Sequence, residues 1–266
     1  MLRRKNCVIV GLTTFDTEFL RLSVPALARL RGDIYLIVHN DNPNARVEKR
    51  GIRRLGYSGP LHIINVNKSG GARAARLDIL AAIPKLKIRS DWMIFADDDG
   101  LMNDAEIPAV RDGVFAVMQN TLFIRKRLLD LLRVINNPKN YNVDNSNVIM
   151  ERARVGIVGT LVRTDMMVRI GELIRPIMPN IMALDATPAA RAPENIVMWF
   201  YLQMYARHLN PDARPIYMDK TNYIAVTLGH NSIRCDRPAE FNERNIQRYC
   251  DLFAEQLQRP AAPAGQ

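Results

Sequence analysis

The sequence predicts an α/β fold, with a mainly parallel, Rossmann-type sheet flanked by helices and a less regular second half. Four apolar runs, at residues 7–12, 34–38, 61–66 and 92–96, alternate with helical patterns in the first hundred residues. Apart from His62 and Asn65 in the third run, the runs are continuously apolar, as is typical of parallel strands buried on both faces. Polar clusters follow three of these runs, and ligands of such sheets bind beyond the carboxyl ends of the strands.

The composition excludes several classes of protein. Hydrophobic residues make up 48% of the 266 residues, which is too many for a disordered chain. The three cysteines, Cys7, Cys235 and Cys250, lie far apart, so we expect reduced thiols in a cytoplasmic protein. The net charge of +10 favours anionic partners such as phosphates, nucleic acid or an acidic membrane, or it is a solvated basic surface.

Each element of the first half has a local signal. The first strand leads into a helix that Asp16 or Thr17 is expected to cap. Pro25 is expected to begin a second helical piece, because the first turn of a helix does not need its N–H. A turn at 39–43 ends the second strand. The glycine pair 70–71 precedes an Ala-rich helix predicted over 72–83.

The second half predicts shorter and less regular elements. They are one or two strands within 112–124, a helix at 128–135, a loop at 136–147, a strand at 156–163, a flexible stretch at 177–193, a helix at 195–208, and short strands at 215–218 and 223–228. An amphipathic helix ends the fold over 241–257, and residues 259–266 are expected to be a disordered tail.

The strongest chemical signal is the triple Asp97-Asp98-Asp99 directly after the apolar run 92–96. In an extended chain, Asp97 and Asp99 lie on one side, about 7 Å apart. Adjacent carboxylates at the end of a buried strand repel one another, and a divalent cation relieves that repulsion. Mg²⁺ or Mn²⁺ held by one or two carboxylates and substrate phosphates is a common arrangement. The alternative is an acidic, solvated loop.

Two further strand ends carry residues suited to a nucleotide. The glycine pair 70–71, followed by Arg73 and Arg76, fits a diphosphate beside a carboxylate–metal site. Its alternative is an ordinary helix N-terminus with solvated arginines. Asp41 ends the second strand, where its carboxylate would accept hydrogen bonds from a base N–H or a ribose. Its alternative is an Asx turn.

In their order and spacing, these motifs resemble those of glycosyltransferase family 2, whose members have the GT-A fold. Residues 12–16 stand where the family has P-T-Y-N-like residues, and 38–42 stand where it has a V-D-D-G-S-like strand end. Residues 67–76 match an N-x-G-x-x-x-A-R-like pattern, 97–99 match D-x-D, and 159–171 match a strand followed by R-x-x-x-x-x-x-G. The resemblance covers about residues 7 to 232.

The resemblance implies a metal-dependent transferase that moves a sugar from a nucleoside-diphosphate sugar to an acceptor hydroxyl with inversion. A UDP-sugar is the first candidate for the donor. The residues it implies share one site but have different roles. Thr14, Asp16, Asp41 and Arg76 would line the nucleotide pocket, Arg73 or Arg76 would assist at the diphosphate, Asp97 and Asp98 would face the ribose and diphosphate, and Asp99, with Asp97 and His230, would hold Mn²⁺ or Mg²⁺.

An inverting transferase also needs a general base for the acceptor hydroxyl. Members of the family often have a Glu-Asp pair at a helix start in the second half, and this chain has Glu194-Asn195 there. Because an amide is not a base, we predict Glu194 in that role, with Asp185 as a second candidate. The alternatives are that the enzyme is impaired, or that Glu194 only favours the helix N-terminus through the helix dipole.

These expectations divide one domain into two halves, a nucleotide-sugar-binding half at 5–100 and an acceptor-binding half at 101–258. The resemblance suggests bacterial surface-polysaccharide or glycolipid synthesis on a glycan or lipid-linked acceptor, in the cytoplasm, with peripheral contact at the inner face of the membrane. We expect no nucleic-acid partner. Two other interpretations stay open: a sugar nucleotidyltransferase, which releases pyrophosphate, and a nonenzymatic sugar-nucleotide-binding or nucleic-acid-binding protein.

Overall fold

The structure, a computed structural model, describes residues 7–30, 33–102, 111–125, 148–151, 156–187, 192–227 and 243–259. The helix predicted at 128–135, the loop predicted at 136–147 and nearly all of the predicted tail lie outside the described residues. None of the helices in the described ranges combines the length and the apolar character that crossing a membrane requires.

The described part of the chain is built around one nine-stranded sheet. Its strands are β1 (Val8–Thr14), β2 (Ile34–Asn40), β3 (Leu61–Asn65), β4 (Trp92–Asp97), β5 (Gly100–Met102), β6 (Val114–Arg125), β7 (Val148–Glu151), β8 (Leu161–Arg163) and β9 (Arg214–Thr227). The helices are α1 (Leu20–Ala28), α2 (Lys49–Arg54), α3 (Gly71–Lys85), α4 (Thr164–Ile174), α5 (Met178–Ala186), α6 (Glu194–Leu209) and α7 (Glu243–Gln258).

The strand order is β3-β2-β1-β4-β8-β6-β9-β5, and β7 pairs with β6. The first four strands are parallel to one another. Beyond β4, the pairs β4–β8, β8–β6 and β9–β5 are antiparallel, whereas β6–β9 is parallel. The predicted α/β class is therefore confirmed, with a parallel first half and a mixed second half.

Helices cover both faces of β1, which explains its continuous apolar run. On β1, Val8, Val10 and Leu12 pack with α1, whereas Ile9 packs with α3 on the other face. Gly11 lets α3 approach closely, because a Cβ at that position would lie 3.0 Å from Cγ2 of Ile79. Both faces of β1 are thus buried, so this strand can present functional groups at its carboxyl end.

The order in which strands are added to the sheet reverses at β1. The order β1, β2, β3 runs outward to one side, and β4 then lies on the other side of β1. In open parallel sheets, such a switch point opens a crevice at the carboxyl ends of the two central strands. In the register of β1 and β4, Thr13 lies opposite Asp97 at that end.

Two predictions about proline-containing segments were wrong. Pro25 does not begin a helix but lies inside α1. The stretch predicted to be flexible at 177–193 contains α5, in which Pro179 occupies the first turn. A proline there removes no helical hydrogen bond, and the following Met, Ala and Leu residues favour a helix.

Two predicted strand boundaries also differ from the structure. The short strands predicted at 215–218 and 223–228 are one strand, β9. The strand predicted at 156–163 is limited to β8, preceded by an isolated bridge between Val158 and Phe95. A capping role for Asp16 is confirmed, because its carboxylate accepts a hydrogen bond from the Glu18 N–H at the start of a 3₁₀ turn.

Candidate active site

Two threonines of β1 connect to two aspartates that follow β4. The Thr13 hydroxyl donates to Oδ1 of Asp97 at 3.0 Å, and the Thr14 hydroxyl donates to Oδ2 of Asp98 at 2.6 Å. The backbone N–H of Phe15 donates to the same Asp98 oxygen at 3.2 Å. These hydrogen bonds connect the carboxyl ends of β1 and β4 at the switch point and place the carboxylates of Asp97 and Asp98 there.

Negative charge is costly in this crevice. Burial raises the pKa of Asp98 to about 6, and the neighbouring charges of Asp97 and Asp16 act in the same direction. Hydrogen bonds from Thr14 and from the Phe15 N–H oppose that rise in the pKa. Burial is thus the main reason for the raised pKa of Asp98, and repulsion by Asp97 and Asp16 adds to it; a bound cation would offset both.

Arg76 connects the crevice to the second half of the chain. Its side chain is buried on α3, and Nη2 donates to Oδ1 of Asp97 at 2.8 Å. Nη1 forms an ion pair with Oε2 of Glu194. The guanidinium also lies 5.9 Å from the ring centroid of Phe95. Arg76 thus brings Asp97, at the carboxyl end of β4, close to Glu194, the predicted base.

Backbone contacts place Glu194 at this position. Glu194 is the first residue of α6. The Ile157 N–H donates to the carbonyl of Asn195 at 3.2 Å, and the Gly159 N–H donates to the carbonyl of Phe95 at 2.9 Å. The segment before β8 therefore fastens the start of α6 to the end of β4, which brings Glu194 and Asp97 together although they are distant in sequence.

Asp41 lies at the end of β2 and binds the glycine turn before α3. Its carboxylate accepts hydrogen bonds from the Ser69 hydroxyl at 2.6 Å and from the backbone N–H groups of Gly70 and Gly71, each at 3.0 Å. Gly71 has φ +77°, a conformation that favours glycine. In the structure, Asp41 thus caps α3, and its predicted contact with a nucleotide stays a prediction.

Arg73 has a different partner from Arg76. Its Nε and Nη2 donate to the two carboxylate oxygens of Asp185, both at 3.1 Å. The Tyr249 hydroxyl donates to Oδ1 of Asp185 at 2.7 Å, and the Arg73 guanidinium lies 5.3 Å from the Tyr249 ring centroid. Arg73 and Asp185, predicted as a diphosphate ligand and as a second candidate base, therefore connect α3, α5 and α7 to one another.

The carboxylates at the crevice fit a hard divalent cation in their chemistry. Asp97 ends β4 and Asp99 directly precedes β5, and carboxylate oxygens are the ligands that Mg²⁺ and Mn²⁺ prefer. His230 lies outside the described residues. Over the described ranges, no cluster of three or more His, Cys, Asp or Glu side chains is arranged to hold a metal. A cation whose coordination shell is completed by substrate phosphates needs only one or two carboxylates from the protein.

Two residues of interest were not singled out from the sequence. Phe15 follows β1 at the crevice, and 55% of its surface is exposed. The sequence did contain a signal for Phe15, because it is an aromatic residue directly after a predicted parallel strand, within the P-T-Y-N-like segment. Tyr249, on α7, is fully buried, and the amphipathic pattern of that helix assigned it to the core. Nothing in the sequence indicated its hydroxyl contacts.

Comparison with protein families and with curated proteins found no match for this chain. Solved structures with a related chain course include residues 1–349 of TarS from S. aureus, at 13% identity and a TM-score of 0.42. They also include the mannosyltransferase PcManGT from Pyrobaculum calidifontis, in complex with GDP-Man and Mn²⁺, at 12% identity and 0.47. A third is the glycosyltransferase GlyE from Streptococcus pneumoniae, at 9% identity and 0.42.

These structures match most of this chain but a smaller part of their own. The alignments cover 94%, 98% and 96% of this chain, and 71%, 66% and 62% of TarS, PcManGT and GlyE, respectively. Since all three TM-scores lie below 0.5, the function of this chain has to be argued from its own residues.

Proposed function

We propose that the chain is a metal-dependent glycosyltransferase of GT-A-like fold that moves a sugar from a nucleoside-diphosphate sugar to an acceptor hydroxyl, with inversion. The observation that carries this proposal is the shared guanidinium of Arg76. It contacts Asp97 at the switch point and Glu194 at the start of α6. Carboxylates suited to a donor's diphosphate and metal thus lie in the same site as a group that can accept a proton.

The donor would bind at the ends of β1 and β4. Phe15, exposed beside Asp98, offers an aromatic face to the base, and Asp16 and Thr14 lie at the same strand end. Asp97 and Asp98 would face the ribose and diphosphate, and Asp99 with Asp97 would hold Mn²⁺ or Mg²⁺. When bound, that cation supplies positive charge to neutralise the departing nucleoside diphosphate.

Glu194 would act as the general base. Arg76 binds Oε2, whereas Oε1 is buried and makes no hydrogen bond within the described part of the chain. As the acceptor oxygen bonds to the anomeric carbon, its proton passes to Oε1 and the bond to the diphosphate oxygen breaks. This sequence of events inverts the anomeric centre, because acceptor and leaving group occupy opposite sides of the sugar.

A turnover assay tests the proposal. The purified chain is incubated with UDP-, GDP- and dTDP-sugars and Mn²⁺, and free nucleoside diphosphate and pyrophosphate are both measured. We expect one donor to release nucleoside diphosphate. Asp99→Asn should slow this release about 100-fold or more, a loss typical of removing one electrostatic contact to the transition state.

The matched control is Asp33→Asn, because Asp33 is exposed at the opposite, amino-terminal end of β2. This variant should retain wild-type turnover. Release of pyrophosphate would identify a nucleotidyltransferase instead. Binding of a sugar nucleotide with no release of either product would favour a nonenzymatic binding protein.

We further propose peripheral contact with an anionic membrane through α2 and the residues before it. Five basic side chains are exposed there, against the single acidic residue Glu48; they are Arg46, Lys49, Arg50, Arg53 and Arg54. Ile52 and Tyr57 are buried on the opposite side and fix the segment to the sheet. Each cation near an anionic bilayer contributes about 1 kcal/mol, so the cluster is sufficient for reversible binding.

Flotation with vesicles containing phosphatidylglycerol tests this contact. We expect the chain to float with them at low salt and less so at physiological salt. The triple variant Lys49→Glu, Arg50→Glu, Arg54→Glu should remain unbound. A control with the same charge change on other exposed basic residues, Lys85→Glu, Arg89→Glu, Arg175→Glu, should retain most of the binding. Equal loss in both variants would contradict a specific surface.

A further inference from the structure

The hydroxyl of Tyr249 contacts both sides of the connection between α5 and α6. It donates to Oδ1 of Asp185 at 2.7 Å, and Asp185 is the last residue but one of α5. The backbone of Ala192 lies close enough to the same hydroxyl to lower the pKa of Tyr249. Ala192 lies two residues before Glu194, so one side chain of α7 contacts both the end of α5 and the residues that lead into α6.

The groups around this hydroxyl are themselves held in place. Tyr249 is fully buried, and Arg73 binds Asp185 through two nitrogens. Arg73 precedes Arg76 by three residues on α3, so both lie on one face of that helix. Arg76 binds Glu194 directly. The α5–α6 connection is therefore anchored to α3 at one end through Asp185 and at the other through Glu194.

The side chains at the start of α6 pack into the core, but the helix N-terminus has no side-chain cap. Its N-cap is Pro193, which makes no side-chain capping hydrogen bond. A catalytic group has to be held within about 0.5 Å of its productive position, and a displacement of about 1 Å can cost 100-fold in rate. The contacts of Tyr249 lie close enough to Glu194 to restrict its displacement in this way.

We propose that Tyr249 is a positioning residue for Glu194, acting through its hydrogen bond to Asp185 and its contact with Ala192. This inference rests on the proposed function, since Glu194 is the base of that reaction. It assigns to the C-terminal helix a part in catalysis, although no residue of that helix is proposed to contact the substrate.

Tyr249→Phe removes the hydroxyl and keeps the ring against Arg73. The matched control is Tyr57→Phe, because Tyr57 is also buried and donates to a carbonyl, that of Ile34 at 2.8 Å, at the other end of the sheet. Hydrogen exchange is measured first, in peptides that contain Ala192 and Glu194. We expect faster exchange in Tyr249→Phe and unchanged exchange in Tyr57→Phe. Unchanged exchange in Tyr249→Phe would overturn the inference whether or not the chain turns over a sugar nucleotide.

Turnover of the sugar nucleotide is measured second. Tyr249→Phe should lower kcat about 10- to 100-fold, as loss of a supporting contact typically does, with the dissociation constant of the nucleoside diphosphate unchanged within twofold. Tyr57→Phe should keep the wild-type kcat. In a Glu194→Gln background, Tyr249→Phe should have no further effect, because the base it positions is absent. An equal fall in kcat in that background would overturn the inference, whereas a wild-type kcat for Glu194→Gln alone would contradict the proposed base.

Discussion

Arg73 and Arg76 lie one turn apart on α3, and both are almost fully buried, with 5% and 2% of their surface exposed. Their surroundings nevertheless differ. Arg76 contacts the sheet edge and the start of α6, where the proposed chemistry takes place. Arg73 contacts Asp185 and the ring of Tyr249, which belong to helices of the second half. We infer from this difference that Arg76 belongs to the proposed site and that Arg73 stabilises the packing of the helices, although both lie in the same sequence motif.

The largest effect is expected for Arg76→Met. This change leaves the carboxylates of Asp97 and Glu194 without their shared cation, and breaking a buried ion pair from one side costs about 3–5 kcal/mol. We expect urea unfolding to show a loss of that size, and calorimetry to show no binding of nucleoside diphosphate with Mn²⁺.

Arg73→Met is the matched variant on the same helix face. Asp185 is more exposed than either partner of Arg76, so the free energy of unfolding should fall by less. Nucleotide binding should persist, because Arg73 contacts no carboxylate of the crevice. If Arg73→Met abolished nucleotide binding as Arg76→Met does, the distinction between the two arginines would be lost.

A smaller effect is expected for Asp41→Asn. The carboxylate accepts three hydrogen bonds from the turn before α3, and the amide that replaces it retains a single acceptor oxygen. The free energy of unfolding should fall by about 1–3 kcal/mol. Asp33→Asn, at an exposed site, should change it by less than about 0.5 kcal/mol. Unchanged stability together with a changed nucleotide preference would identify Asp41 as a base contact.

The smallest effect is expected for Phe15→Ala. Its exposed ring supports no core contact, so the free energy of unfolding should change by less than about 0.5 kcal/mol. Loss of base stacking should weaken nucleoside-diphosphate binding by at least about 1 kcal/mol, and Phe15→Tyr should preserve the affinity. Calorimetry measures both variants, and wild-type affinity in Phe15→Ala would exclude a stacking role.

The parallel half of the fold was predictable because its strands are continuous apolar runs ending in polar clusters. The position of Asp97, Asp98 and Asp99 at the end of a strand was predictable because they directly follow such a run. The cap at Asp16 was predictable because Asp is a common N-cap residue. The helix α5 was missed because the stretch 177–193, rich in Pro and Ala, was predicted to be flexible, whereas the first turn of a helix accepts a proline.

The partners of the buried side chains were not predictable. Arg73 and Asp185 are distant in sequence, and no periodicity relates them. The same holds for Arg76 and Glu194, whose separate predictions did not include their ion pair. These contacts depend on how α5, α6 and α7 pack over α3, which is a property of the assembled core. The assignments of Asp97, Asp99 and His230 to a metal stay predictions.

The central claim is a metal-dependent nucleoside-diphosphate site at the ends of β1 and β4. Its most direct test is calorimetric titration of UDP, GDP and dTDP into the purified chain, with Mn²⁺ and then with EDTA, for wild type and Asp99→Asn. We predict that one nucleotide binds in the presence of Mn²⁺, and that EDTA and Asp99→Asn each abolish the binding. No binding of any of the three to the folded wild-type chain with Mn²⁺ would contradict the claim.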